Sequence, residues 1–176
     1  MADIPALATI YDAAVLTGTG SFETVPPGVD AMAQRQATLL AAGFPCLVAE
    51  RAMPEGSGHG GRPEILGYAY ASSLRQRAAF GHTVEDSVYV DEEARRQGVG
   101  QLLLAALIED CMRRGFRQMV AVIGDSANLG SIALHQACGF QHQGLLPACG
   151  FKFGRWLDVV LMQRPLGEGA QSLPPA

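Results

Sequence analysis

The chain has 176 residues, a length that suits one domain with a sizeable hydrophobic core. Its formal net charge of −4 argues against a nucleic acid or another polyanion as partner, and no apolar run approaches the length of a membrane-spanning helix. The four cysteines show no Cys-x-x-Cys spacing, so we expect free thiols. The first Lys or Arg is Arg35, so we expect no signal peptide and a cytoplasmic protein.

The N-terminal part is predicted to form two helices followed by two strands. Apolar residues at helical spacing predict a first helix from Ile4, with Asp3 as its cap and Pro5 in its first turn. A segment rich in Gly and Pro separates the two strands, and it is predicted to be a flexible hairpin loop in which His59 is solvated rather than bound to a metal. The second helix is predicted at 29–42, the two strands at 44–51 and 65–72, and the loop between them at 53–63.

The middle of the chain is predicted to be a strand, a glycine-containing loop and a long helix. β-Branched and aromatic residues predict the strand over 83–90. Apolar residues at helical spacing predict the helix, which Gly115 closes. Gly98 and Gly100 allow backbone N–H groups to approach a ligand closely, and the helix N-terminus adds a partial positive charge. These features predict a site for phosphate or pyrophosphate.

The loop does not fit two common nucleotide motifs. A Walker loop needs a Lys after its last glycine, and a dinucleotide loop needs a third glycine where Leu103 stands. The pattern that is present, Arg95-x-x-Gly98-x-Gly100, resembles the signature of the GNAT N-acetyltransferases, although a helix start with two solvated arginines is the alternative. The resemblance implies that six residues hold the pyrophosphate of acetyl-CoA: Arg96, Gln97, Gly98, Val99, Gly100 and Gln101.

The C-terminal part is predicted to form a strand, a short helix and two final strands, at 116–123, 131–138, 141–145 and 157–163, with 147–156 as the last connection. The alternation of strands and helices predicts an α/β sandwich with a mixed sheet. One domain over 1–166 is expected, followed by a disordered tail over 167–176. The order resembles the GNAT fold, a mixed central sheet flanked by helices, except that the usual N-terminal edge strand is missing or unrecognised.

Several segments resemble a narrower group within that family. The most specific are TVEDSVYV at 83–90 and GFKFGRWLD at 150–158, and the likeness to the phosphinothricin and amino-acid sulfone or sulfoximine acetyltransferases covers about 3–166. It implies an enzyme that moves acetyl from acetyl-CoA to the α-amino group of a small amino-acid-like compound: phosphinothricin, methionine sulfone, methionine sulfoximine or a related L-amino acid. It also implies a homodimer with 150–158 near the interface. A non-catalytic acyl-CoA-binding module is the alternative from another class.

Two side chains are candidates for proton transfer. An α-amino group is mostly protonated at neutral pH, so the reaction needs a base. Glu85 matches the motif of the group, which favours a general base over a strand carboxylate paired with Arg75 or Arg77. His135 stands seven residues after Asn128, where the wider family usually has a Tyr that protonates the CoA sulfur. It is either that proton donor or a packed helix residue.

Other residues are expected to bind the two substrates. Asn128 is expected to bond the pantetheine arm, to cap the helix at Ser131, or both. Arg75 and Arg77 are candidates for the acceptor carboxylate, because a guanidinium pairs well with it. Phe22, Tyr70 and Phe80, with Glu23, are candidates to shape the acceptor pocket, although sheet packing or loop anchoring would also explain the aromatic residues. Backbone groups for the pantetheine amides are expected from Val88, Tyr89 and Val90.

Overall fold

The computed structural model describes residues 3–52 and 63–173. Nearly all of the predicted flexible loop, His59 included, and the end of the predicted tail lie outside these residues. Two 3₁₀ turns, Ala78–Phe80 and Glu92–Ala94, flank the third strand. The helices and strands are α1 Ile4–Thr17, α2 Gly28–Ala41, β1 Cys46–Arg51, β2 Glu64–Ser73, β3 Thr83–Val90, α3 Val99–Arg113, β4 Gln118–Gly124, α4 Leu129–Ala137, β5 Gln141–Lys152 and β6 Arg155–Pro165.

The six strands form one mixed sheet in the order β1-β2-β3-β4-β6-β5. β3 and β4 run parallel, and the other neighbouring pairs are antiparallel. This confirms the predicted α/β sandwich with a mixed central sheet. Within the described residues no strand precedes α1, so β1 forms one edge of the sheet.

The helices cover the two faces of the sheet in pairs. On one face α3 and the end of α4 enclose the larger core, which includes Leu104, Leu107 and Met119. On the other face α1 and α2 pack on a smaller core around Leu7 and Tyr68. Because successive residues of a strand point to opposite faces, adjacent positions of β3 belong to different layers.

The helix ends match the sequence signals except at the first N-terminus. Gly43 and Gly115 follow α2 and α3 with φ of +80° and +84°, the left-handed conformation typical of a glycine that ends a helix. The prediction that Asp3 caps α1 is wrong. Its side chain makes no cap hydrogen bond, and its backbone is already helical, with φ −90° and ψ −13°, whereas a capping residue holds a non-helical conformation.

The final hairpin is longer than the sequence predicts. The segment 147–156 is not a long connection, because β5 continues to Lys152 and a tight turn at Phe153 and Gly154 leads directly into β6. Pro147 signals a loop, but β5 is an edge strand, where a residue without an N–H group is tolerated. The irregularity that Pro147 introduces is confined to a register shift between Leu146 and Gly150.

The first part of the C-terminal tail lies against the start of β4. Arg117 donates hydrogen bonds of 2.8 Å to Ser172 Oγ and 2.9 Å to the carbonyl of Leu173, and the turns there close onto buried Leu166. The disorder of the tail in solution stays a prediction.

Two kinds of feature are absent from residues 3–52 and 63–173. None of the helices there has both the length and the apolarity that crossing a membrane requires. Nor does this part of the chain bring three or more His, Cys, Asp or Glu side chains together as ligands for a metal ion.

Candidate active site

The parallel strands β3 and β4 separate before they end. Their register contains three pairs, Thr83 with Gln118, Val84 with Met119 and Glu85 with Val120. Beyond them, 86–90 of β3 pairs with β2 and 121–124 of β4 pairs with β6, but the two segments do not pair with each other. We call this gap the wedge. Its edges carry backbone groups that an extended ligand can bind as an added strand would.

The N-terminus of α3 follows β3 at the open end of the wedge. Gly98 stands at the N-cap position with φ +84°, and it offers no side chain to the N–H groups of the first turn. Arg96 also has a positive φ, +63°, which is uncommon for a residue with a Cβ atom. A 15-residue helix with uncapped N–H groups attracts anions. The loop therefore fits the pyrophosphate site that the sequence predicts.

Gly100 brings α3 close to its neighbours. A Cβ atom at this position would lie 3.3 Å from Leu134 Cδ2 in α4 and 3.6 Å from Val90 Cγ2 in β3. The glycine therefore serves packing as well as access to the helix N-terminus. The Gln97 side chain is engaged elsewhere, donating to the carbonyl of Glu93 at 2.7 Å and accepting from Arg51 at 2.9 Å, so only its backbone is available to a ligand.

Asn128 lies across the wedge from α3, at the N-terminus of α4. Its Oδ1 accepts a hydrogen bond of 3.3 Å from the Ser131 N–H, and its Nδ2 donates at 3.4 Å to the carbonyl of Gly124. Of the two predicted roles, helix capping is therefore confirmed. The bond to the pantetheine arm stays a prediction.

Glu85 is the last residue of β3 that pairs with β4, so it lies at the closed end of the wedge. It stands opposite Ser72 of β2 and, by alternation, shares the α1/α2 face of the sheet with Tyr89. Burial raises the pKa of this half-buried carboxyl, as does the charge of Asp86, while Arg75 opposes both. No salt bridge joins Glu85 to Arg75 or Arg77, all of them described residues, so the alternative of a surface ion pair is not formed.

His135 lies on the opposite face of the sheet from Glu85 and is 4 % exposed. Its Nδ1 is 2.7 Å from the carbonyl of Ser131, its Nε2 is 3.0 Å from Asp86 Oδ2, and its ring meets Phe140 edge-on at 5.0 Å. Burial lowers the pKa of His135, but the hydrogen bond and charge of Asp86 outweigh burial and raise it overall. Direct protonation of a thiolate would require one of the two hydrogen bonds to open, and that role stays a prediction.

The predicted acceptor residues fall into two groups. Tyr70 of β2 packs on Tyr68 with ring centroids 6.3 Å apart, two positions along the strand from the residue opposite Glu85. Arg75, Arg77 and Phe80 lie in the exposed connection that leads into β3. This group therefore lies near the closed end of the wedge.

Phe22 forms the second group and lies over the ends of β4 and β5. A Cβ atom at Gly124 would be 3.1 Å from its ring, and one at Gly150 only 2.1 Å. Glu23 beside it is not free to bind a ligand, because it makes a bidentate contact with Arg35, 2.7 Å at its shorter distance. Phe22 is thus an anchor of the α1–α2 loop, and its role in the acceptor pocket stays a prediction.

Sequence reasoning missed the side chains that hold this loop in place. Lys152, 4 % exposed, donates to the carbonyls of Gly18 at 2.9 Å and Ser21 at 2.8 Å. Ser21 Oγ in turn lies 3.1 Å from the Tyr11 hydroxyl. A lysine between aromatic residues in a strand was a possible signal, but its partners lie more than 130 residues away.

The motif at 150–158 contains two further anchors. Asp158 accepts hydrogen bonds from Ser126 at 2.5 Å and from the N–H of Ala148 at 3.0 Å. Arg155 donates a hydrogen bond to Asp125. This hydrogen bond is the main reason that the pKa of the Asp125 carboxyl lies below its usual range. The charged residues of the motif therefore fix the loops around the wedge.

Comparison with known proteins gives one family. The model of the acetyltransferase (GNAT) family matches residues 20–140. The phosphinothricin N-acetyltransferase of Alcaligenes faecalis is 51 % identical over 172 residues, which are 98 % of this chain and 82 % of that protein. The L-methionine sulfoximine/L-methionine sulfone acetyltransferase of Pseudomonas aeruginosa is 42 % identical over 166 residues, 93 % of this chain and 89 % of that protein.

A solved structure extends the likeness to three dimensions. The phosphinothricin acetyltransferase of Sinorhizobium meliloti, crystallised with acetyl-CoA, superposes with a TM-score of 0.90 at 46 % identity. The match covers 99 % of this chain and 89 % of that one. The likeness therefore includes the strands, loops and helices that surround the wedge.

Proposed function

Because the chain belongs to the GNAT acetyltransferase family and is an acetyl-CoA-dependent N-acetyltransferase, we propose that its acceptor is the α-amino group of a small amino-acid-like compound. Phosphinothricin, methionine sulfone, methionine sulfoximine and related L-amino acids are the candidates. The observation that carries this proposal is the wedge, with a half-buried carboxylate at its closed end and an uncapped helix N-terminus at its open end.

The cofactor residues follow from this arrangement. When bound, acetyl-CoA supplies an activated acetyl thioester. The N–H groups from Arg96 to Gln101 bind its pyrophosphate, because the first turn of α3 has no side-chain cap. Val88, Tyr89 and Val90 offer backbone groups from the free edge of β3, and Asn128 faces them from the other side of the wedge.

Glu85 acts as the general base in this proposal. It takes a proton from the ammonium group of the acceptor, directly or through one water, so that the neutral amine can attack the acetyl carbonyl. A pKa raised by burial suits this role, since the carboxylate then holds the proton more tightly than an exposed Glu would. His135 is proposed to act from the opposite face of the sheet, as the proton donor to the leaving sulfur or through its packing.

The acceptor is proposed to bind on the side of Glu85 that faces α1 and α2. Arg75 and Arg77 are exposed cations near that end of β3, and a guanidinium pairs with a carboxylate through two parallel hydrogen bonds. Tyr70 and Phe80 supply aromatic walls, and Phe22 closes the pocket from the α1–α2 loop.

Assembly and location complete the proposal. The hairpin of β5 and β6 exposes five large apolar side chains, which favours a homodimer through this surface: Leu145, Leu146, Phe151, Phe153 and Trp156. The free thiols and the use of acetyl-CoA favour the cytoplasm. The relatives named as N-acetyltransferases support the enzyme and not the non-catalytic acyl-CoA-binding module.

A substrate screen tests the proposal. The purified protein is incubated with acetyl-CoA and one amine at a time, and release of the CoA thiol is followed. We expect turnover with at least one of phosphinothricin, methionine sulfone and methionine sulfoximine, and mass spectrometry should show one added acetyl group on the α-nitrogen. Acetyl-CoA binding without thiol release from any amine would instead identify a binding module.

A further inference from the structure

Asp86 and His135 form a buried contact at the point where β3 and β4 separate. Asp86 is the first residue of β3 beyond the last pair with β4, and it is 7 % exposed. Its Oδ2 is 3.0 Å from His135 Nε2, and its Oδ1 is buried without a hydrogen-bond partner. This contact joins β3 directly to α4, which follows β4 along the chain, so it connects the two sides of the wedge.

The partners of His135 define where its protons are. A carbonyl only accepts, so Nδ1 at 2.7 Å from the Ser131 carbonyl carries a hydrogen. An ionised Asp86 also only accepts, so Nε2 must carry a second hydrogen, and the ring is then an imidazolium. A neutral ring has one N–H, so it can donate to the Ser131 carbonyl or to Asp86 but not to both, and its other nitrogen then directs a lone pair at an acceptor.

We propose that Asp86 is a positioning residue for acetyl transfer: through His135 it holds α4 against β3 and so sets the width of the wedge. The inference rests on the proposed function, because it assumes that acetyl-CoA enters the wedge. Asp86 needs no contact with either substrate in this role. Its effect reaches them through α4, whose Asn128 and Leu134 lie beside the wedge and the N-terminus of α3.

Among the groups packed around this contact, the His135 ring is the one we expect to change its charge as the pH passes its raised pKa. Cys138 at the end of α4 and Cys111 of α3 lie within electrostatic range of Asp86. Burial raises the pKa of both thiols, that of Cys111 to about 12, so both stay neutral. Glu85 neighbours Asp86 from the other face of the sheet, Arg164 lies near Cys138, and the Phe140 ring covers His135 without a charge.

A pH dependence of cofactor affinity follows. Below the raised pKa of His135 the contact is an ion pair and the wedge keeps its width. Above that pKa the ring is neutral, so the charge attraction to Asp86 is lost and only one of the two hydrogen bonds of the ring can be kept. The hold of β3 on α4 should then weaken, and the affinity for acetyl-CoA should fall. Asp86→Asn should abolish this dependence, because an amide can donate to a neutral Nε2 and accept from a protonated one. Asp86→Ala should lose the contact at every pH.

Calorimetry with acetyl-CoA over a range of pH tests the proposal. At each pH the dissociation constant of the wild type is divided by that of Asp86→Asn. This ratio is independent of the ionisation of acetyl-CoA itself, because both proteins bind the same ligand. We expect this ratio to rise by roughly 5- to 150-fold as the pH passes the pKa of His135, the usual span of coupling between two sites. Asp110→Asn is the matched control, since Asp110 pairs with Arg113 and Arg114 of its own chain segment at the end of α3 and not with α4, so this variant should follow the wild type.

Two outcomes would overturn different claims. A flat ratio with tight binding in both proteins would overturn the role of Asp86 and leave the acetyl-CoA site intact. Failure of the wild type to bind acetyl-CoA at any pH would overturn the proposed function itself. If Asp86→Ala does not fold, the comparison of the wild type with Asp86→Asn is sufficient for the test. NMR titration of the His135 ring should give a lower pKa in Asp86→Asn than in the wild type.

Discussion

Glu85 leads to the sharpest prediction for a single side chain. Glu85→Gln keeps the shape and removes the base, so kcat should fall by on the order of 10²- to 10⁴-fold, while acetyl-CoA affinity stays unchanged. In the wild type, kcat/KM should fall as the pH drops through a pKa above that of an ordinary Glu, because burial raises it. Glu64→Gln, which removes a surface partner of Arg51, is the control. Normal turnover by Glu85→Gln at neutral pH would contradict the role.

His135 leads to a prediction about stability. His135→Asn should destabilise the fold by about 3–5 kcal/mol, since it leaves the Asp86 charge buried without its partner. The folded pKa of His135 is raised, so its contribution is complete below the ordinary His pKa and is lost as the pH rises through the raised value. Melting curves of both proteins over this range should therefore converge as the pH increases. A constant difference would mean that the ring stabilises the fold by packing alone.

The sequence identifies some of these side chains and not others for a physical reason. Glu85 lies in a motif of eight residues, 83–90, and Gly98 and Gly100 lie in a motif of six, 95–100, so local patterns suggest both. Asp86 depends on a partner 49 residues away and Lys152 on carbonyls more than 130 residues away. The local sequence pattern contains no information about such contacts.

The glycine-containing loop leads to a prediction about one helix end. Gly100→Val should weaken acetyl-CoA binding, because its side chain would meet Leu134 and Val90 and move α3 away from the wedge. The same substitution should also cost stability, since overpacking typically costs about 1–3 kcal/mol. Gly144→Ala is the matched control, as the space around that position is open. Calorimetry that finds unchanged affinity in a folded Gly100→Val would contradict the site.

The α1–α2 loop leads to a prediction about the acceptor. Lys152→Met fills a similar volume but donates to neither Gly18 nor Ser21, so the loop that carries Phe22 should become mobile. KM for the amino-acid acceptor should rise while acetyl-CoA affinity is retained. Hydrogen exchange should accelerate at 18–24 in the variant. An unchanged KM together with fast exchange would show that this loop does not contribute to the acceptor pocket.

Elements differ in how well the sequence predicts them. The strand β3 follows from its β-branched and aromatic residues, and its bounds agree with prediction. The helix α3 follows from apolar residues at helical spacing, and Gly115 lies just beyond its end as predicted. The hairpin of β5 and β6 does not, because Pro147, Gly150 and Gly154 are turn signals in isolation. In the folded chain, pairing with β6 overrides the signals of Pro147 and Gly150, and a local register shift accommodates them, whereas Gly154 lies in the turn itself.

The hairpin surface leads to a prediction about the whole molecule. Trp156 is 64 % exposed and meets Phe151 edge-on at 5.3 Å, in a patch that a second copy of the chain would cover. Trp156→Glu should convert the proposed homodimer to a monomer, because a carboxylate there would be buried without a partner. Light scattering on a sizing column measures this. Leu173→Glu, at a residue 89 % exposed in the tail, should leave the dimer intact. A monomeric wild type would contradict the proposal.

At the scale of the molecule, the fold was easier to predict than the arrangement of the site. Alternating strands and helices give the α/β class because apolar faces must be covered from both sides of a sheet. They do not reveal that Glu85 and His135 lie on opposite faces of it. That arrangement follows from the alternation of Glu85 and Asp86 in β3, because Asp86 contacts His135 and Glu85 points to the other face. The contact between Asp86 and His135 depends on the tertiary packing of α4 against β3.

The short contact between β3 and β4 divides the sheet into two half-sheets of three strands, joined by three register pairs. A co-substrate whose amides bridge the wedge would add backbone hydrogen bonds that β3 and β4 do not make with each other. At 100 times its dissociation constant such a ligand adds about 2.7 kcal/mol to folding. That is a large share of the roughly 5–15 kcal/mol that stabilises an ordinary domain. The cell's supply of acetyl-CoA would then govern how much of this protein survives as well as how fast it works.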